Sequence, residues 1–85
     1  MAEPSPSHVA LGDAIRDFRK KRGLSQEGLG LEAGLDRTYV SSVERGRRNI
    51  SFDNLVKISK ALEVKPSELL KRWERTTGWT TPGQL

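Results

Sequence analysis

Three observations predict an all-α domain of five short helices. Apolar residues recur at spacings of three and four, and no stretch alternates in the way a half-buried strand requires. Helix-starting residues stand before these stripes, and glycines stand just after three of them. The chain has 85 residues and no cysteine, so one small core of packed apolar side chains must hold it together.

The first eight residues contain two prolines and no periodic pattern, and read as a flexible arm. From Val9 the pattern turns helical: Leu11, Ile15 and Phe18 share one face, and the spacing predicts a helix over Val9–Arg22. Gly23 ends it after the basic turn Arg19, Lys20, Lys21 and Arg22, which suits the negative end of the helix dipole. Ser25 can cap a second helix that turns Leu29 and Ala33 inward and stops at Gly34. Asp36 can cap a third, with Val40 and Val43 inward and Gly46 at its end. Ser51 can cap a fourth, whose stripe is Leu55, Ile58 and Leu62 with Phe52 and Val56 beside it. Pro66 fits the first turn of a fifth, which carries Leu69, Leu70 and Trp73. The expected organisation is an arm over 1–8, a helical domain over 9–75 and a tail over 76–85. That tail is polar and turn-prone apart from Trp79 and Leu85.

Composition narrows the function. A formal net charge of +4 points to an anionic partner, with basic residues clustered at Arg19, Lys20, Lys21 and Arg22 and again at Arg45, Arg47 and Arg48; a merely solvated surface is the other reading. No apolar run approaches the roughly 20 residues that span a bilayer, and the start lacks the apolar segment of a signal peptide. A cytoplasmic protein is therefore expected. The single histidine, His8, falls in the arm, where nothing would orient it as a base, and no nucleophile has a partner nearby. An enzyme is not expected, nor a metal or a cofactor.

The second and third helices meet the demands of a helix-turn-helix. Gly30 supplies the small residue needed where the two helices approach, and Gly34 supplies a turn residue that tolerates positive φ. Leu29, Ala33, Leu35, Val40 and Val43 supply apolar surfaces on both sides of the turn. With these features, "GLSQEGLGLEAGLDRTYVSSVERGRRNISFDNLVKISKAL" resembles the Cro and phage-repressor (XRE) family of DNA-binding domains. Within it, "LDRTYVSSVERGRRNIS" is most similar to the controller proteins of restriction–modification systems. The resemblance covers about Leu11 to Leu70. Gly30 departs from the family's usual alanine, and Gly28 is a second glycine in the same helix, each costing about 1 kcal/mol relative to alanine.

The resemblance implies a transcriptional regulator that reads double-stranded DNA with the second helix of the motif in the major groove. If Asp36 is the cap, Arg37, Thr38 and Ser41 share the face opposite Val40 and Val43. Arg37, whose guanidinium can bond guanine O6 and N7 together, is the first expected base reader, with Thr38, Ser41 and Ser42 beside it. Arg37 could instead pair with Asp36 or Glu32. Phosphate contacts are expected from Ser25, Gln26, Tyr39, Arg45, Arg47, Arg48 and Asn49; Ser25 could be a plain cap, and Tyr39 could only cover the helix pair. Glu44 follows Val43 on the half-buried side, where a lone carboxylate is costly. The resemblance implies an ion pair between Glu44 and Arg19.

Such domains usually bind near-palindromic sites as twofold dimers. The expected homodimer interface is the fifth helix, through Leu69, Leu70 and Trp73, with Trp79 extending the patch or standing apart from it. In the other arrangement, Leu69 and Leu70 complete the monomer core and only Trp73 is exposed. The alternative function is an antitoxin or adaptor module that binds chiefly a protein, which would need an apolar patch beyond the dimer face.

Overall fold

The computed structural model describes residues 3–83, so Leu85 of the tail lies outside the described residues. Five helices follow one another: α1 (Pro6–Lys21), α2 (Gln26–Ala33), α3 (Arg37–Glu44), α4 (Phe52–Leu62) and α5 (Pro66–Thr77). Each helix sends one side chain to the centre of the core. Ile15, Leu29, Val40, Ile58 and Leu69, one from each, are completely buried. Burying a side chain of this kind contributes about 1.5–3 kcal/mol, so these five are the main source of cohesion in a chain this small. Ala14, Ala33, Val43, Leu55, Ala61 and Leu62 close around them, and Leu11, Phe18, Leu24, Leu35, Ile50 and Val64 seal the edges.

The caps lie where small polar side chains precede the apolar stripes. Ser25 Oγ accepts from the Gly28 amide at 2.9 Å, and Ser51 Oγ accepts from Asn54 at 3.1 Å. Asp36 Oδ1 faces the Thr38 amide at 3.5 Å, and Pro66 opens α5. Gly23, Gly34, Gly46 and Gly78 all have positive φ at helix ends.

Four expectations need correction. Helix α1 begins at Pro6, not Val9, because Ser5 is its cap: the Ser5 hydroxyl accepts from the His8 amide at 3.1 Å. Residues 6–8 are thus helical, and His8 lies in the first turn of α1 rather than in a flexible arm. Helix α5 runs two residues past the expected boundary, to Thr77, with Gly78 as its left-handed cap. Phe52 and Val56 do not flank the α4 stripe from inside; they are 75% and 40% exposed. Leu69 is completely buried and cannot contribute to a surface between subunits, whereas its neighbour Leu70 is 42% exposed. Adjacent helical residues diverge by about 100°, so Leu69 turns into the core while Leu70 reaches the surface.

Candidate nucleic-acid interface

Two close approaches place α3. A β carbon at Gly30 would lie 2.5 Å from the Leu35 carbonyl oxygen, so α2 and the turn meet backbone to backbone. An alanine at this position would force that contact apart. A β carbon at Gly12 would lie 2.5 Å from the carbonyl oxygens of both Val43 and Glu44. The end of α3 thus rests directly on α1, a contact that periodicity in the sequence does not announce.

Arg19 and Glu44 lock this arrangement. Arg19 Nε donates to Glu44 Oε2 at 2.6 Å and its Nη2 to Oε1 at 2.9 Å, the two-pronged geometry that favours arginine over lysine. Glu44 is 1% exposed and Arg19 8%. Gln26 Nε2 donates to Glu44 Oε1 at 3.1 Å, and Arg16 donates from Nη2 to the Glu44 carbonyl at 3.0 Å. Bonding to Glu44 outweighs burial and raises the Arg19 pKa above its ordinary value. A raised folded-state pKa means that Arg19 contributes its full stability below the ordinary arginine range and loses it only as pH climbs past the raised value. The Arg19 contribution is therefore constant across neutral pH.

This anchoring leaves one face of α3 open. Val40, Val43 and Glu44 are buried, Arg37 and Thr38 are exposed in the first turn, and Ser41 and Ser42 are half-buried behind them. Among the described residues Arg37 has no ion-pair partner; Glu32 is instead bonded by Arg22. Arg45, Arg47, Arg48 and Asn49 are all exposed in the segment that leaves α3. The Arg48 guanidinium lies over the Tyr39 ring, 5.2 Å from its centroid, and Asn54 Nδ2 donates to the Tyr39 hydroxyl at 2.9 Å. That hydroxyl accepts from Asn54, so its own proton is left for another acceptor. Ser25 has its hydroxyl engaged as a cap, and Gln26 has its carboxamide turned toward Glu44. The Ser25 hydroxyl accepts the Gly28 amide and keeps its own proton for a further acceptor, and Gln26, bonded to Glu44 through one N–H, keeps a second.

Sequence reasoning missed a second brace on the far side of the motif. Arg22 donates to Glu32 on α2 and, at 2.7 Å, to Glu63 at the end of α4. Its pKa is raised, first by the bond to Glu32 and then by that to Glu63. Glu63 lies 41 residues from Arg22 in the chain, so only the folded chain brings the brace together.

On α5, Trp73 is half-buried and donates from Nε1 to the Ser7 carbonyl at 3.0 Å. Trp79 folds back on it with ring centroids 5.9 Å apart, and an open apolar groove of about 240 Å³ runs between Leu11, Ile50, Leu70 and Trp73. Among the described residues no helix is long and apolar enough to cross a membrane.

Comparison with known proteins agrees with this geometry. Residues 15–69 match the family model described as helix-turn-helix. The control protein C.BamHI of Bacillus amyloliquefaciens is 53% identical over 63 residues, covering 73% of this chain and 78% of the relative. The control protein C.MunI of a Mycoplasma species is 44% identical over 68 residues, covering 79% and 92%. Among solved structures, the restriction-modification controller protein C.AhdI from Aeromonas hydrophila has a TM-score of 0.76 at 46% identity, covering 76% of this chain and 98% of that one. With a fully buried valine spine under α3 and such relatives over most of its length, the chain belongs to the helix-turn-helix family of transcription regulators, alongside the restriction–modification control proteins.

Proposed function

We propose that this protein is a cytoplasmic, non-enzymatic regulator that binds near-palindromic operator DNA as a homodimer. One observation carries the reading: α3 is fixed from behind by Val40, Val43 and Glu44 while Arg37 and Thr38 stand free at its N-terminal turn. A rigid helix with its first turn exposed is what a major groove accepts, and base edges are met there. Arg37 reads a guanine, Thr38 offers a methyl to thymine, and Ser41 and Ser42 allow the helix to come close. Arg45, Arg47, Arg48 and Asn49 hold phosphates on one side of the groove, and Tyr39 donates its hydroxyl proton to a phosphate oxygen. Ser25 and Gln26 hold a phosphate at the start of α2 through its free amides, the Ser25 hydroxyl proton and the second N–H of Gln26. The dimer face is formed by Leu70 and Trp73 without Leu69.

Selection from a random DNA pool gives the operator, and two variants then test the division of labour. Arg37→Ala should lose its preference at one base pair per half-site, about 1–3 kcal/mol of discrimination. Arg47→Ala should weaken all sequences alike and flatten the salt dependence by about one phosphate contact. Identical behaviour of the two variants would overturn the assignment. A protein-binding adaptor would instead bind duplex DNA with no steep dependence on salt.

A further inference from the structure

His8, in the first turn of α1, is tied to a segment far along the chain. Its Nε2 lies 3.2 Å from Asn49 Oδ1, and its Nδ1 lies 2.8 Å from Ser5 Oγ. The direction of the long-range bond follows from the acceptor. Asn49 Oδ1 has no proton to give, so the His8 Nε2 facing it is the donor. On the other side of the ring, the Ser5 hydroxyl that caps the helix by accepting the His8 amide also bonds Nδ1. The turn that holds the imidazole is itself pinned. Trp73 Nε1 donates to the Ser7 carbonyl, and a β carbon at Gly46 would lie 2.6 Å from Val9 Cγ2 and 2.7 Å from its amide nitrogen. The start of α1 is thus pressed against the exit from α3, beside Arg47, Arg48 and Asn49.

We propose that His8 is a positioning residue for duplex binding: by engaging Asn49 Oδ1 it orients the Asn49 carboxamide so that Nδ2 donates to a DNA phosphate. The inference rests on the reading of this chain as a DNA binder. An asparagine side chain can present either its oxygen or its NH2, and only the latter suits a phosphate. Occupying the oxygen from behind removes the unproductive orientation and lowers the cost of ordering on binding.

Phosphate contacts are independent of sequence, so a fluorescein-labelled random duplex serves as the probe. Anisotropy titrations at low salt compare the full chain with His8→Ala, Asn49→Ala, the double variant and His8→Gln. His8→Ala and Asn49→Ala should each weaken binding about threefold, the scale of one exposed hydrogen bond. The double variant should be no weaker than Asn49→Ala alone, because His8 acts only through Asn49. His8→Gln should bind within about twofold of the parent, because its Nε2 stands the same number of bonds from Cα as the imidazole Nε2 and can restore the bond to Asn49 Oδ1. Effects of the two alanines that multiply, or no effect of His8→Ala, would overturn the proposal while leaving the chain a DNA binder. Failure of the parent chain itself to bind the duplex would bring down both readings.

Discussion

Replacing Arg19 by alanine removes the guanidinium from a carboxylate that is 1% exposed, and the cost can be worked from its remaining partners. An uncompensated buried charge of a broken pair costs about 3–5 kcal/mol. Glu44 would keep the Gln26 bond at 3.1 Å and the more distant Arg16 Nε at 3.7 Å, which places the loss at the lower end, about 3 kcal/mol. The Leu24 carbonyl, which accepts from Arg19 Nη1 at 2.9 Å, loses a partner as well. For a domain of this size, 3 kcal/mol lowers the melting midpoint by roughly 12–24 °C. Circular dichroism melting at fixed pH and salt measures this directly. Substituting both members at once, Arg19→Met with Glu44→Leu, should recover most of the midpoint, since no charge is then left buried. An unchanged midpoint in Arg19→Ala, or a double variant as unstable as the sum of its singles, would refute the reasoning.

Two other outcomes are expected. Gly12→Ala should destabilise by about 1–3 kcal/mol, because its methyl would press on the Val43 and Glu44 carbonyls and neither backbone can yield cheaply; chemical denaturation reads the change. Leu70→Glu should leave the fold intact, since this side chain is 42% exposed, and shift sedimentation toward monomer; an unaltered association constant would remove α5 from the dimer face.

Caps and stripes made most of the fold legible. Ser25, Asp36, Ser51 and Pro66 mark helix starts by local chemistry, and Val40 with Val43 defines the buried side of α3 by spacing alone. The start of α1 is marked by Ser5 followed by Pro6, a cap and a first-turn proline, but no apolar stripe accompanies them, so spacing gives no sign of the helix there. What spacing could not decide was which of two adjacent leucines faces inward, because that depends on where α1 crosses α5. The same holds for Gly12, whose role comes from a neighbouring helix, and for the Arg22 brace to Glu32 and Glu63. Polar side chains with two possible uses are likewise undecided by spacing: the Gln26 NH2 can serve a phosphate or a buried carboxylate, and in the folded chain it donates to Glu44.

The central claim is that the open face of α3 meets the bases while its buried face stays fixed. Amide chemical shifts followed during titration with the selected duplex test it most directly. The largest movements are expected at Arg37, Thr38, Ser41 and Ser42, with a second group at Arg47 to Asn49 and quiet amides along α5. Movements confined to α5 or the Trp79 turn, with the α3 amides unmoved, would contradict it.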